Sequence, residues 1–392
     1  MKKKILAALL SVAMVATLLA GCGGSGDTTT DTTATTETEE TTETEDAAAE
    51  DTAETEDTAE TADLSGMSFE IVSKGLQHQY WQAVLQGVNN KAEELGVTVN
   101  FVGPDSESNI DQQVTQLTNA LNSNPTAIGL AALSTESVMD LLQQAMDAGI
   151  PIIGFDSGVP DAPEGSVLAN CSTDNYAAGG IAAENVYAAV ADRIAAAEGT
   201  VRIGVVAQDN TSESVVNRGL GFIDKFAELA IADGYGVSVV GNDTYIDRAT
   251  CEVSDDAKVI IDVRVPASVT SELSVADVNA LLGESDILAL YGSNEHSANA
   301  IISAAENHSE IGTGDDQVIC AGFDSGAAQL EAVRNGVLLG SITQAPVAMG
   351  ETLVELLVAA AQGETVEDVD TGCQWYTAEN IDDPEIAQNL YE

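Results

Sequence analysis

The amino-acid sequence predicts an α/β protein of two doubly wound, parallel-sheet domains, and three observations predict it. From Met67 onward, short apolar runs alternate with segments of helical periodicity, which is the pattern of βαβ units. The pentapeptide Gly-Phe-Asp-Ser-Gly occurs twice, at Gly154–Gly158 and Gly322–Gly326, each time after an apolar run. Both copies follow a matching strand, loop and helix, in Ala127–Gly149 and Ile287–His308. A repeat of about 170 residues is too long for a solenoid unit and indicates two similar domains.

The first half of this body divides into five strands and three helices. Apolar runs that end at Gly, Pro or polar residues predict strands at Ser68–Lys74, Val97–Val102, Thr126–Leu133, Pro151–Phe155 and Ser166–Asn170. Amphipathic periodicity predicts helices at Tyr80–Leu95, Ile110–Asn122 and Glu136–Ala148.

The pattern restarts in the second half, where Cys251–Glu284 is the least regular stretch. Predicted strands are Val201–Ala207, Val237–Val240, Lys258–Val265, Ile287–Tyr291, Val318–Phe323 and Leu338–Thr343. Predicted helices are Asn175–Ala197, Ser214–Ala232, Val275–Leu282, Ser297–Asn307, Ala327–Asn335 and Pro346–Gln362. The polar segment Cys373–Glu392 is expected to pack along the second domain.

The N-terminus has the features of a bacterial lipoprotein signal. Lys2-Lys3-Lys4 precedes the apolar stretch Ile5–Ala20, and Leu19-Ala20-Gly21-Cys22 supplies small residues before a cysteine. The apolar run is short for a transmembrane span, which takes about 20 residues. We predict that residues 1–22 are a signal and that Cys22 carries acyl chains such as palmitate, which hold the protein on the outer face of the cell membrane.

Residues 23–64 are predicted to form a disordered acidic tether. From Asp27 to Asp63 the chain holds 15 Asp or Glu and 15 Thr, with no Lys, Arg or aromatic residue to support a core; a specific binding tail is the alternative. The net charge is −51, and 49 acids face 10 bases from Leu64 onward. Because nucleic acid and anionic lipid need Lys and Arg, we expect no nucleic-acid partner and no membrane contact beyond the lipid anchor.

The sequence gives no pattern for a catalytic, metal or cofactor site. The cysteines after Cys22 form no CxxC pair and the three histidines are scattered. Asp105–Asp111 resembles a calcium loop but lacks the Gly at its sixth position, so we expect a solvated loop. A Gly-x-Ser-x-Gly elbow and a phosphate loop are both missing from the sequence, so the chain is not expected to be an enzyme.

The repeated aspartates, Asp156 and Asp324, follow predicted parallel strands directly. In open α/β sheets, ligands bind at the carboxyl ends of the strands. Two such edges that face each other would form a cleft, and we interpret the cleft as the functional site.

Seven motifs in order resemble those of the ribose-binding-protein type of periplasmic binding protein, the type I fold. They are Tyr80-Trp81 with Gly87, Gly149-Ile150-Pro151 with Asp156, Asp174-Asn175 with Gly179, Arg218-x-x-Gly221-Phe222, Ser293-Asn294-Glu295, Gly322-Phe323-Asp324 and Ile342-Thr343-Gln344. The resemblance covers nearly all of Met67–Gln374. Members of the family are solute-binding components of ABC importers, and many bind monosaccharides. In Gram-positive bacteria they are commonly lipoproteins, which agrees with Cys22.

The resemblance implies a hinge of three chain crossings, near Cys171-Ser172, Gln344-Ala345 and Gly372-Cys373. The implied N-terminal domain is 65–170 plus 345–371, and the implied C-terminal domain is 171–344 plus 372–392. Because the crossings run side by side in the family, Cys171 and Cys373 could be neighbours, and a disulfide between them is a hypothesis.

Planar groups with two polar atoms suit adjacent sugar hydroxyls, and aromatic rings suit sugar C–H faces. The resemblance then implies these ligand contacts: His78, Tyr80, Trp81, Asp156, Arg218, Asn294, Asp324 and Gln344. The two neighbouring aromatics could instead serve the core, and the histidine could be a solvated loop residue.

The polar candidates also have structural alternatives. An Asp or Asn after a strand often caps a helix, which applies to Asp156, Asp324 and Asn294. Arg218 could pair with a surface acid, and Gln344 could form a hydrogen bond at the hinge.

Two departures from the family weigh against ribose as the ligand. Many ribose binders have Arg directly after the first cleft aspartate, where this chain has Ser157. Tyr245–Arg248, which often supplies another aromatic, runs into the poorly matching stretch Cys251–Val278. If the cations Lys74 and Arg218 both face the cleft, an anionic sugar such as a uronate is also consistent with the sequence.

The resemblance implies a monomer whose domains close over a monosaccharide or related solute and present it to the permease subunits of an ABC importer. The alternative is a sensor of the same fold that signals to a membrane kinase or chemoreceptor. The sequence does not separate these two functions.

Overall fold

The computed structural model describes residues 64–391. The predicted signal, Cys22 and all but the last residue of the predicted tether lie outside the described residues. Among the helices of residues 64–391, none combines the length and the apolar character needed to cross a membrane.

Thirteen strands and eleven helices alternate along the described chain. The strands are β1 (Ser68–Val72), β2 (Thr98–Val102), β3 (Ala127–Leu130), β4 (Ile152–Phe155), β5 (Ala169–Ser172), β6 (Val201–Val206), β7 (Val237–Gly241), β8 (Val259–Arg264), β9 (Ile287–Gly292), β10 (Ile319–Phe323), β11 (Gly340–Gln344), β12 (Val369–Asp370) and β13 (Cys373–Tyr376). The helices are α1 (Gln79–Leu95), α2 (Ile110–Asn122), α3 (Met139–Ala148), α4 (Asn175–Ala196), α5 (Glu213–Ala232), α6 (Asp243–Arg248), α7 (Ser271–Leu282), α8 (Glu295–Ala305), α9 (Ala327–Arg334), α10 (Pro346–Ala361) and α11 (Pro384–Ala387).

The strands form two separate, mostly parallel sheets. The first has the order β12-β5-β4-β3-β1-β2 and the second has the order β13-β11-β10-β9-β6-β8-β7. Only β13 is antiparallel to its neighbour, β11. We call the first sheet with α1, α2, α3 and α10 the first lobe, and the second sheet with the remaining helices the second lobe. The predicted fold class is confirmed.

The chain passes between the two sheets three times. It leaves the first sheet after β5, returns after β11 to place α10 against the first sheet, and leaves again between β12 and β13. Strand β5 ends at Ser172, so the chain leaves the first sheet at the crossing expected near Cys171-Ser172, and the implied domain limit of 170 falls inside that strand. Tyr391 packs in the core of the first lobe, although its segment was assigned to the second domain. The remaining domain limits stay predictions.

Each lobe covers its sheet with a pair of helices that cross at glycine. In the first lobe α1 crosses α10, and a Cβ atom on Gly87 would overlap the carbonyl oxygen of Val347. In the second lobe α4 crosses α5, and a Cβ atom on Gly221 would overlap the carbonyl oxygen of Tyr176. Glycine therefore permits the close backbone contact on which both cores are built.

Several local expectations differ from the structure. Helix α3 begins at Met139 rather than Glu136, and the fifth strand lies three residues later than predicted at its start. Glu107, in the loop that we expected to be solvated, is 7% exposed. The cysteines from Cys171 to Cys373 are all free, so the hypothesis of a disulfide between those two residues is wrong.

Candidate ligand-binding site

One pocket lies between the carboxyl ends of the two sheets. Its cavity volume is about 20 Å³, so the side chains of the two lobes fill most of the space between them. Its lining residues are Lys74, His78, Tyr80, Trp81, Glu107, Asp156, Val215, Arg218, Asn294, Glu295, Asp324 and Gln344. The structure thus brings all eight residues predicted from the sequence to one place. Their contact with a ligand remains a prediction.

Strand ends position most of these side chains. Asp156 follows β4 and Asp324 follows β10, while Gln344 is the last residue of β11. Lys74 lies two residues beyond β1, and Asn294 lies two residues beyond β9. Because all five strands are parallel within their sheets, their carboxyl ends meet at one edge of each sheet.

The two repeated aspartates share an uncommon backbone conformation. Asp156 has a φ of 56° and Asp324 has a φ of 79°, in the left-handed region that side chains other than Asn and Asp rarely adopt. Such conformations persist where the surrounding structure holds them, and they cluster at functional sites. The repeated pentapeptide therefore encodes the same turn twice, and both turns end at the pocket.

Asp156 is paired with a buried lysine. Its Oδ2 lies 2.9 Å from Lys74 Nζ. The same ammonium group donates to the hydroxyls of Ser212 at 3.2 Å and Ser214 at 2.9 Å, both in the second lobe. Burial alone would lower the pKa of Lys74, but the charges of Asp156 and Glu107 outweigh it and raise the pKa. Lys74 is therefore a charged group that joins the two lobes.

Asp324 is held almost entirely by its own lobe. Its Oδ1 accepts from Gln344 Nε2 at 2.6 Å, and its Oδ2 accepts from the backbone N–H of Glu295 at 3.0 Å. Arg218 Nη1 lies 3.8 Å from Oδ2. Burial raises the pKa of Asp324, and the charge of Arg218 opposes this effect. Since Glu295 is the first residue of α8, Asp324 also caps that helix.

Arg218 is buried at the centre of the second lobe's side of the pocket. Its guanidinium carbon lies 3.9 Å from the centre of the Phe323 ring, a cation–π arrangement. Its Nε donates to Asn175 Oδ1 at 2.8 Å, whereas its Nη2 has no hydrogen-bond partner among the described residues. The alternative in which Arg218 pairs with a surface acid is wrong, because the residue is 3% exposed.

His78 lies between carboxylates of both lobes. Its Nδ1 is 3.4 Å from Glu295 Oε1 in the second lobe, and its Nε2 is 3.9 Å from Glu107 Oε1 in the first. Burial disfavours the imidazolium, but the hydrogen bond to Glu295 and the charge of Glu107 raise the pKa of His78 to about 9. The alternative of a solvated loop histidine is wrong.

A chain of hydrogen bonds connects the aromatic wall with the second lobe. Trp81 Nε1 donates to Glu107 Oε1 at 2.7 Å, and Gln208 Nε2 donates to Glu107 Oε2 at 2.9 Å. Asn294 Nδ2 donates in turn to Gln208 Oε1 at 2.8 Å. Burial would raise the pKa of Glu107, but the positive charge of His78 and these donors hold it below the usual value. Glu107 is therefore an ionised carboxylate inside the pocket.

Four candidates line the pocket and also have the structural role that was their alternative. Tyr80 and Trp81 belong to the core of the first lobe, with ring centres 5.0 Å apart, and also line the pocket. Asn294 caps α8 by accepting from the N–H of Ser297. Gln344 accepts from the hydroxyl of Thr173 at 3.1 Å, which links two chain passages.

Lys74, Ser212 and Ser214 superficially have the composition of a serine–lysine hydrolase site. A lysine acts as a general base only when its amine is neutral. Here the neighbouring carboxylates raise the pKa of Lys74, so the amine keeps its proton. This cluster therefore has the electrostatics of a binding and linking group. Among the described residues, no group of three or more His, Cys, Asp and Glu side chains could hold a metal ion.

Two residues that depart from the ribose-binding pattern have structural positions. Ser157 is fully buried and its Oγ accepts from the backbone N–H of Ser214 at 3.2 Å. Tyr245 packs in the core of the second lobe beside Gly219 and does not line the pocket. Many ribose binders have an Arg directly after the first cleft aspartate. In this chain the cation beside Asp156 is Lys74, which lies two residues beyond β1.

Comparisons with known proteins define the class of protein to which this fold and site belong. The family profile described as "Periplasmic binding protein domain" matches residues 69–365. The chain belongs to this family, which confirms the resemblance inferred from the seven motifs.

Individual relatives cover most of the chain. The D-allose-binding periplasmic protein of Escherichia coli is 22% identical over 80% of this chain and 90% of its own. A solved structure from Brachyspira murdochii, described as "ABC transporter, LacI family transcriptional regulator", is 36% identical with a TM-score of 0.69, covering 83% of this chain and 99% of its own. An ABC transporter solute-binding protein from Agrobacterium vitis with bound D-fucose is 25% identical with a TM-score of 0.68, covering 83% and 100%.

Proposed function

We propose that this protein is an extracytoplasmic solute-binding lipoprotein that captures a small carbohydrate and delivers it to an ABC import permease. Its two lobes close over the ligand, and the closed form is the one that the permease recognises. The protein is a receptor and performs no catalysis. Acyl chains on Cys22 keep it on the outer face of the membrane, and the acidic tether lets the lobes reach the permease.

The observation that carries this proposal is the composition of the pocket between the lobes. Polar side chains from the ends of five strands converge on one cleft between the lobes. Two aromatic residues form an apolar wall at the same place, Tyr80 and Trp81. A sugar presents the matching surface, with hydroxyls around its edge and C–H groups on its faces.

Closure is supported by the bonds that already cross between the lobes. Lys74 donates to serines of the opposite lobe, and His78 lies beside Glu295 of the opposite lobe. A ligand that contacts residues of both lobes binds the closed arrangement better than an open one, and so shifts the population toward closure. The named relatives, which include the D-allose-binding protein and the structure with bound D-fucose, support a monosaccharide as the ligand.

Thermal unfolding of the full chain in the presence of pentoses, hexoses, polyols, uronates and nucleosides tests ligand capture. At about 100 times its dissociation constant, a ligand adds about 2.7 kcal/mol to the free energy of unfolding. We expect a clear rise in midpoint temperature with one class of sugars. No rise with any sugar, combined with a rise for another solute class, would refute the carbohydrate part of the proposal and leave solute binding in place.

Metabolic labelling with a clickable palmitate analogue tests the anchor. We expect the label on the wild-type chain and its loss in Cys22→Ser, with the protein released from the membrane fraction. Cys171→Ser is the matched control, because Cys171 is a buried thiol of the first sheet. Labelling that persists in Cys22→Ser would contradict anchoring at this residue.

A further inference from the structure

The cations of the pocket are all engaged by carboxylates. Lys74 pairs with Asp156, and Arg218 faces Asp324. His78 lies between two further carboxylates. Lys74 and Arg218 both face the pocket, as an anionic ligand would require. Each already lies near a carboxylate, so neither offers an uncompensated positive charge.

Counting the charged side chains of the lining gives an excess of negative charge. Three cations face four carboxylates, which are Glu107, Asp156, Glu295 and Asp324. A ligand carboxylate or phosphate would therefore enter a site that is already negative, where the low dielectric strengthens repulsion.

Three buried polar atoms of the lining have no hydrogen-bond partner among the described residues. One of them, Asp156 Oδ2, is compensated by the ammonium group of Lys74 at 2.9 Å, and the other two show what the ligand must supply. Glu295 is 8% exposed and its Oε2 has no hydrogen-bond partner among the described residues. Arg218 Nη2 is in the same situation. A buried polar group without a partner costs about 1–3 kcal/mol. A complementary ligand therefore donates a hydrogen bond to Glu295 and accepts one from Arg218.

A hydroxyl group can do either, and an ammonium group can donate to Glu295. A ligand carboxylate cannot donate a hydrogen bond to Glu295, because it has no proton, and its negative charge repels the glutamate. Glu295 thus separates ligands by charge. Sequence reasoning missed it, because only its neighbour Asn294 was selected from the motif Ser293-Asn294-Glu295.

We propose that Glu295 is a specificity-determining residue, so that the pocket takes neutral and amino sugars and rejects uronates and sugar phosphates. The proposal rests on the proposed function as a sugar receptor. It goes beyond that function by assigning the charge class of the ligand and the residue that sets it.

The test compares matched sugars that share a ring and differ in one substituent. Isothermal titration of the full chain with galactose, galactosamine and galacturonate forms one series, and glucose, glucosamine and glucuronate form the second. We expect the uronate of the series that binds to be weaker than its neutral parent by about 100-fold or more, which is about 2.7 kcal/mol. The amino sugar is expected to bind at least as tightly as the parent.

Two variants separate the local effect from the overall charge of the protein. Glu295→Gln removes the pocket charge and keeps a hydrogen-bonding group, and is expected to reduce the preference for neutral over anionic sugar by about tenfold or more. Glu306→Gln removes the same charge from the exposed end of α8 and is expected to leave the preference unchanged.

The wild-type comparison decides the charge class even if the first variant fails to fold. A uronate that binds within tenfold of its parent sugar would overturn the inference while upholding the sugar receptor. An unchanged preference in folded Glu295→Gln would overturn the role of that residue. If no sugar of any charge binds, the carbohydrate part of the proposed function falls, and this inference falls with it.

Discussion

The two Gly-Phe-Asp-Ser-Gly segments have the same sequence and the same backbone turn, yet their aspartates are held differently. Asp324 is fixed inside its own lobe by Gln344, by the start of α8 and by Arg218. Asp156 is fixed by Lys74, and that lysine is bonded to serines of the other lobe.

This difference separates two roles that the sequence presents as one. In the second repeat, all the groups that hold Asp324 belong to the same lobe. The first repeat connects its aspartate, through one lysine, to the opposite lobe. We infer that Asp324 contributes mainly to the shape of the site and that Asp156 contributes mainly to the joining of the lobes.

Replacing each aspartate in turn is the strongest test of the difference between Asp156 and Asp324. Asp324→Ala leaves Arg218 buried without its counter-ion and is expected to lower the free energy of unfolding by about 3–5 kcal/mol. Asp156→Ala is expected to cost less, because Lys74 keeps its bonds to Ser212 and Ser214. Urea unfolding followed by circular dichroism measures both. Because alanine is strained at a positive φ, the Asp→Gly variants serve as controls. Equal losses in the two pairs would refute the distinction.

The glycine crossings test whether the two lobes are equivalent as scaffolds. Gly87→Ala and Gly221→Ala each introduce a Cβ atom where a backbone carbonyl oxygen lies. Each is expected to lower the free energy of unfolding by about 1–3 kcal/mol through overpacking. Gly199→Ala is the control, since a Cβ atom there meets nothing within 4 Å. If only one of the two variants loses stability, the helix pair of the other lobe can move apart to accommodate the added methyl group, and the two lobes are not equivalent scaffolds.

Replacing Lys74 tests whether the first repeat joins the two lobes. Lys74→Met removes the bonds to the second lobe and is expected to weaken ligand binding by about 1–3 kcal/mol, measured by titration calorimetry. Lys91→Met is the control, because Lys91 forms its ion pairs on the outside of α1. Unchanged affinity in Lys74→Met would mean that the lysine does not support the bound arrangement.

The smallest expected effect concerns pH and the second link between the lobes. The pKa of His78 is raised from 6.5 to about 9, so its stabilising charge is fully present below pH 6.5 and is lost as the pH rises through about 9. A shift of this size corresponds to at most about 3 kcal/mol, and because solvent partly screens this side chain, the free energy of unfolding is expected to fall by about 1–2 kcal/mol over this window.

In His78→Gln, this fall should be absent when stability is compared at pH 6.5 and pH 9.5. His308→Gln is the control, because that histidine pairs with Glu310 on the surface. A fall of the same size in His78→Gln and wild type would assign the pH dependence to other groups.

Local patterns in the sequence predict eleven of the thirteen strands of residues 64–391, most of the helices and the eight pocket residues, since strand ends in a parallel sheet meet at one edge. They miss β12 and β13, which are short edge strands near the C-terminus. They do not predict Glu107, because the loop of seven residues between β2 and α2 has no periodicity to show that it folds inward. Its neighbours Asp105 and Asp111 suggested a solvated calcium-like loop, whereas the buried partners Trp81 and Gln208 determine its position.

The sequence also does not predict which carboxylate pairs with which cation. The sequence indicates that Lys74 and Arg218 could both face the cleft, which is consistent with an anionic ligand. The distances to Asp156 and Asp324, which lie about 80 and 110 residues away along the chain, decide whether those cations are free. Contacts between residues so far apart depend on the tertiary structure.

The three chain passages have a consequence for how the protein is made. Helix α10, which completes the core of the first lobe, begins only at Pro346, so the ribosome has to synthesise about nine tenths of the chain before that core can form. The first lobe therefore cannot mature ahead of the second during synthesis. A nascent chain of this design therefore stays without its complete native cores until it is almost finished.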